Sequence, residues 1–283
     1  MTRDPGAAHQ PETDTMKPVS KTAFYCCGMR MLDAMSPRPV CGDTLAANFI
    51  DDSQRDFVEG FRSFSRQNAS TVARHRLIDD HLRSILQTRP DARIVTIGAG
   101  FDTRPHRLPG GRWVELDEPE VMAFKEQRLP VTRADNDLVR LPIEFARESL
   151  AEKLAPYAAD AAPIVVLEGV AMYLSEAELR ATARAIKDSL PDAVVLTDLM
   201  SAAFYRRYSR KLFDRFEKFG AIFQTGQTHP IEIFKAEGFR IQAQQSIVEC
   251  AVDAGTFGMP RFIFRHFFPT LREGYSLWIV SAR

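Results

Sequence analysis

The sequence has no excess of either charge, no paired cysteine motif, no histidine cluster and no long apolar run. Thirty-seven basic residues stand against thirty-seven acidic ones, which removes any global pull toward nucleic acid or anionic lipid. A charged partner must therefore be met by a local site. The longest apolar stretch, residues 164–174, is broken by Glu168 and falls short of the roughly 18 residues a membrane span needs. Four cysteines, Cys26, Cys27, Cys41 and Cys250, form no Cys-x-x-Cys pair, and six histidines show no His-Glu-x-x-His spacing. Neither a disulfide framework nor a metal site is expected, and a reducing cytoplasm is the expected compartment. Residues 1–18 carry no apolar stretch behind their basic residue, so they read as a disordered tail and not as a secretory signal.

What is present is a chain of 283 residues, 45% hydrophobic, long enough for one large domain with a sizeable core. No internal repeat or low-complexity linker divides it. Residues 20–88 read as helical: Phe57, Phe61 and Phe64 recur at turn spacing, and Leu77, Ile78, Leu82, Ile85 and Leu86 form one stripe. After Pro90 the texture changes to short β-branched runs at 93–97, 112–116, 164–167, 193–197 and 275–280. Residues 119–128 and 176–189 suit crossover helices, the second opened by Ser175 with Glu178 three residues on, a capping box. Strands alternating with helices imply a doubly wound α/β fold with a mostly parallel sheet. The expected layout is a single domain over 19–283: a helical cap (19–89), a cofactor-binding core (90–200), a helical insertion or lid (201–236) and closing strands (237–283). The basic and aromatic stretch 201–223 would either roof a pocket or pack as an amphipathic helix.

The strongest chemical signal runs from Val95 to Leu108, where a buried strand leads into Gly98-Ala99-Gly100 and then Phe101-Asp102-Thr103-Arg104-Pro105. Glycines at the carboxyl end of such a strand let a ligand approach the backbone closely. Nineteen residues after Gly98, Asp117 closes a second strand, the position from which a carboxylate accepts hydrogen bonds from ribose hydroxyls. Strand, glycines and acid together point to a nucleoside-bearing cofactor. The pattern departs from a dinucleotide fingerprint, because Thr103 takes the third glycine's place and Asp102 puts a negative charge where a pyrophosphate would sit. A cofactor whose amino-acid end carries an ammonium tolerates that acid.

These residues, together with Arg74-His75-Arg76-Leu77-Ile78-Asp79-Asp80, Glu115-Leu116-Asp117-Glu118-Pro119 with Lys125 beyond, and Leu167-Glu168-Gly169-Val170-Ala171-Met172-Tyr173-Leu174, resemble the leucine carboxyl methyltransferase-like class I S-adenosylmethionine methyltransferases, bacterial polyketide-type O-methyltransferases among them. The resemblance covers roughly residues 19–200 and implies a seven-stranded Rossmann-like sheet. It implies that Arg74 grips the methionyl carboxylate of S-adenosylmethionine, with Lys21 as a second cation. Gly98 and Gly100, with Ala99 between them, would line the methionine moiety, Asp102 would lie near its ammonium and Asp117 would hold the ribose. Glu144-Phe145 stands where the family usually has an Asp-Leu pair at the adenine. Glu168 matches the acid that faces the cofactor near the reaction centre, with Tyr173 a turn away, and these two are the catalytic candidates.

Other readings stand beside these. Arg74, Arg76, Asp79 and Asp80 also fit a solvated helix face with i,i+4 pairs. Glu168 directly follows four apolar strand residues, where a carboxylate is costly to bury unless something uses it. His75, His81 and His106 are bases by type only; Lys125 fits a packed or paired position on the crossover helix. A nicotinamide-dependent oxidoreductase would use the same sheet and Asp117, and an S-adenosylmethionine sensor would bind without turnover.

Methyl transfer needs an acceptor held in line at about 3–3.5 Å from the methyl carbon. A carboxylate is already ionised at neutral pH and needs no base, whereas a phenol benefits from one. No histidine follows the fourth strand where such a base is sought, so the expected acceptor is the carboxylate of a small organic or polyketide-type acid, with a hydroxyl as the alternative. It would lie between the helical cap and residues 201–223, with Arg206, Arg207 or Arg210 as partners. Neither nucleic acid nor membrane is an expected partner.

Overall fold

The computed structural model describes residues 16–224 and 229–283. Three helices, α1 (Pro18–Ala34), α2 (Asp52–Glu59) and α3 (Ser65–Thr88), precede the first strand. The strands are β1 (Arg93–Ile97), β2 (Arg112–Asp117), β3 (Asp137–Pro142), β4 (Ile164–Leu167), β5 (Val194–Met200), β6 (Arg240–Ser246) and β7 (Tyr275–Ser281). They form one sheet in the order β3-β2-β1-β4-β5-β7-β6, with β7 antiparallel to both neighbours and the rest parallel. The crossover helices α4 (Pro119–Arg128) and α5 (Glu176–Ser189) carry the expected bounds, and Ser175 and Glu178 make the reciprocal cap. The expected tail falls largely outside the described residues, but Met16 is buried and Pro18 opens α1.

Alternation along the strands sorts the core into two faces. After α5 come α6 (Arg210–Glu217) and α7 (Ile247–Asp253), and Ile94, Trp113, Val166 and Leu196 pack under α7 and under α3, whose Ala73, Ile78 and Leu82 are fully buried. Val95, Val114, Val165 and Val195 face Leu179, Ala183 and Ile186 of α5. A third, aromatic cluster joins Phe24 and Tyr25 of α1 to Phe49, Phe61, Phe101, Phe213 and Phe216, with Phe61 stacked on Phe216 at 4.8 Å. This cluster docks the cap and α6 onto each other, so that both stand against the loops that follow the parallel strands.

Strands β3 and β6 lack the apolar runs of the others. Each is a sheet edge whose residues are mostly exposed or half-buried, and an edge strand needs only one covered face. Between β5 and α6 the backbone passes through a helical turn, Ala202–Phe204, and a π-helical turn, Tyr205–Ser209. The two readings of residues 201–223 both hold in part. Phe204, Phe213 and Phe216 are core, while the π-turn faces a cavity.

Candidate active site

At the carboxyl end of β1 the chain turns through Gly98 (φ +69°) and Gly100 (φ +45°), left-handed conformations that favour glycine. A Cβ on Gly98 would lie 2.5 Å from Val170 Cγ2, so only a glycine lets the β4 loop pack this closely on the end of β1. The Gly98 and Ala99 amides donate to the Leu116 carbonyl, tying this loop to the end of β2. There Asp117 accepts from Gly100 N at 2.6 Å and Glu118 N at 2.7 Å. Burial pushes its carboxyl up to about 6, against the pull of those two amides. The segment after β3 lies alongside, since Ile143 N donates to the Asp117 carbonyl. Glu144 there pairs with the exposed Arg147 at 3.1 Å, and Phe145 is half exposed.

Helix α3 splits its charged residues between two environments. Arg76 and Asp80 form an exposed i,i+4 pair at 2.7 Å, whereas Arg74, His75 and Asp79 are buried. Arg74 Nε donates to Glu168 Oε1 at 3.1 Å, and Nη1 donates to Asp198 Oδ2 at 3.1 Å and the Tyr275 hydroxyl at 3.0 Å. Among the described residues Nη2 meets only Cys26 Sγ, at 3.6 Å. Glu168 is also met by Arg104 Nη1 at 2.8 Å and by His75 Nδ1 at 3.2 Å. Burial works against its ionisation, but Arg104 and Arg74 outweigh this and hold the carboxyl well below its usual range.

The charge alternation continues inward. Arg104 pairs with Asp79 at 2.6 Å and Asp102 at 2.8 Å. Asp43 receives Arg30 at 2.9 Å and the Thr103 hydroxyl at 2.7 Å, and its carboxyl, despite burial, is held at about 2 by Arg30 and Arg107. Thr103, the residue in the third-glycine position, thus fastens the loop to the cap. Burial and Arg104 push His75 below its ordinary value. Lys125 is fully buried and pairs with Glu115 at 2.7 Å, bracing α4 on β2. Lys21 sits half-buried on α1, and among the described residues its ammonium has no carboxylate partner.

Beside this network lies a cavity of about 450 Å³, walled by α1, α3, the β4 loop and residues 204–216. Cys26, Arg74, Gly169, Tyr173 and Tyr275 reach it. Tyr173 is fixed by donating to Thr22 Oγ1 at 2.8 Å and by its ring contact with Phe223. Five further cations line the wall, Arg66, Arg206, Arg207, Arg210 and Lys211, and no Asp, Glu or His does so among the described residues. Sequence reading missed Arg30, Arg104, Asp198 and Tyr275. Asp198 carried a related signal, a carboxylate set among Leu196, Thr197, Leu199 and Met200 within a strand; Tyr275 carried none.

Comparison with known proteins decides the family. The leucine carboxyl methyltransferase family model matches residues 23–187, more than half of the chain. The chain belongs to this family. Among curated proteins it is similar to the tetracenomycin polyketide synthesis O-methyltransferase TcmP of Streptomyces glaucescens, 26% identical over 272 residues, covering 90% of this chain and 97% of that protein. A Mycobacterium tuberculosis protein assigned to the S-adenosyl-L-methionine-dependent methyltransferases is 31% identical over 125 residues, 41% of each chain. The same fold occurs in a Thermobifida fusca protein taken to be a methyltransferase, with TM-score 0.60 and 13% identity over 97% of this chain and 98% of that one. Family membership sets aside the nicotinamide-dependent alternative.

Proposed function

We propose that this enzyme transfers a methyl group from S-adenosylmethionine to a carboxylate oxygen of a small organic acceptor of the polyketide type, in secondary metabolism. The residues at the strand ends fit the donor. The Nη2 edge of Arg74, which meets Cys26 Sγ, and the Lys21 ammonium, which has no carboxylate partner among the described residues, are suited to the methionyl carboxylate. Gly98, Ala99 and Gly100 offer backbone to the methionine chain, and Asp117 retains lone pairs for ribose hydroxyls. Asp102 serves the donor's ammonium with the charge left over from Arg104, and Glu144 and Phe145 flank the adenine beside Asp117.

When bound, S-adenosylmethionine supplies an electrophilic methyl group, and its loss leaves S-adenosylhomocysteine. The chain's own work is positioning. Glu168 and Tyr173 border the place where donor and acceptor meet: Glu168 holds two guanidinium groups in register, and Tyr173 fixes the cavity wall. Arg206, Arg207 and Arg210 stand at the cavity wall to receive an anion, which concentrates and orients a carboxylate without taking a proton from it.

The observation that carries this reading is the cavity's charge inventory, five cations beyond Arg74 with no carboxylate or imidazole among the described residues that line it. A phenol would have to lose its proton unaided, whereas a carboxylate arrives ionised. The test is a panel of aromatic acids, each with its matching phenol and amide, assayed for S-adenosylhomocysteine release and for the methylated product by mass spectrometry. Methyl esters from the acids are expected; turnover of the phenols alone would overturn the carboxylate assignment.

A further inference from the structure

Arg74 has five N–H donors, and the structure commits three of them to protein oxygens. Nε serves Glu168, while Nη1 serves Asp198 and Tyr275 together. The last two also bind each other, with the Tyr275 hydroxyl donating to Asp198 Oδ2 at 2.8 Å, so Arg74, Asp198 and Tyr275 close a triangle. The other Asp198 oxygen accepts from Gly169 N at 2.6 Å. Gly169 (φ +69°) backs onto the guanidinium plane, because a Cβ there would lie 3.0–3.3 Å from Nη2, Nη1 and Cζ. The side chain is therefore held at its edge by the triangle and on its face by Gly169, and only Nη2 is left with a weak sulfur contact.

We propose that Asp198 and Tyr275 are positioning residues for Arg74, fixing its guanidinium so that the Nη2 edge alone is presented at the junction of the donor site and the acceptor cavity. Tyr275 comes from the first residue of β7, the strand that runs antiparallel to β5, and its register partner is Met200. The reversed strand is what brings a residue 201 positions from Arg74 back to the carboxyl end of the parallel strands. Without the triangle, the guanidinium has one carboxylate partner, Glu168, and is free to rotate about it. A fork that must meet a carboxylate along one edge loses part of its advantage when that edge is not fixed.

This inference rests on Arg74 holding the donor's carboxylate. It is tested by calorimetric titration with S-adenosylhomocysteine of wild type, Tyr275→Phe, Arg74→Lys and the double variant, each with its thermal midpoint. Arg74→Lys keeps the buried charge and so the fold, while removing the fork. Tyr275→Phe is expected to weaken binding about tenfold, the loss of one charge-assisted hydrogen bond, and to add less than about twofold in the Arg74→Lys background. Asp198→Asn, run in the same cycle, is expected to show the same dependence on Arg74. Equal losses in both backgrounds, or no loss on Tyr275→Phe, would overturn the positioning role, since a merely structural residue acts alike in both. A wild-type protein that takes up no S-adenosylhomocysteine would overturn the donor reading itself, and the positioning role with it.

Discussion

Glu168, at the end of β4, lies 2.8 Å from Nη1 of Arg104, a residue whose side chain has no exposure to solvent. Because Arg74 meets the same carboxylate from the other side, one acid neutralises parts of two buried cations. Glu168→Ala is therefore expected to destabilise the protein by roughly 3–5 kcal/mol, the cost of leaving a buried charge uncompensated. Glu168→Gln keeps one accepting oxygen and should fall between. Urea unfolding measures both, and a wild-type midpoint for the alanine variant would show the guanidinium groups satisfied elsewhere.

Asp117 titrates in the opposite sense to the network acids. Burial raises its carboxyl to about 6 from an ordinary value near 4, so the folded state holds this proton more tightly than the unfolded chain. Its contribution to stability is complete below about pH 4 and is lost as pH rises through about 6. Donor binding should run the other way, because the ionised form is the better acceptor for ribose hydroxyls. Calorimetry at pH 5 and pH 7.5 is expected to show tighter S-adenosylhomocysteine binding at the higher pH, and Asp117→Asn should flatten that difference.

Gly98→Ala should damage both the fold and the donor site. The left-handed backbone and the approach to Val170 Cγ2 together imply a cost of about 1–3 kcal/mol. A lowered thermal midpoint with at least a tenfold loss of S-adenosylhomocysteine affinity is the expected result. Retention of both would mean that the β4 loop yields readily.

With no carboxylate or imidazole among the described residues that line the cavity, turnover of a carboxylate acceptor should be flat in kcat from about pH 7 to 9, well above the acceptor's own pKa. Arg206→Ala combined with Arg207→Ala should raise KM for the acid several-fold at low salt and less at high salt, since these side chains are exposed. A rate rising tenfold per pH unit across that range would indicate an acceptor that must first lose a proton.

Much of the fold was legible because the inner strands β1, β2 and β4 are buried on both faces and so spell apolar runs. Their bounds followed, and so did the glycine turn and Asp117, which stand at strand ends where spacing is short. Strands β3 and β6 were harder, since edge position relaxes the pattern that marks a strand. On α3, i,i+4 spacing described Arg76 and Asp80 well but not Arg74 and Asp79, whose burial depends on Glu168 and Arg104 arriving from distant segments. Tyr275 lay beyond reach for the same reason: its role exists only through the antiparallel return of β7.

That return also sets an order of assembly. Strand β6 is made before β7 yet joins the sheet only through it, so β6 has nothing to pair with until β7 has docked on β5. A chain interrupted ahead of Tyr275 would leave the flank of β5 as an open row of amides and carbonyls, an invitation to pair with a neighbouring molecule. Quality control of this protein should accordingly centre on its last strand, with truncated products found as aggregates and not as weakened enzyme.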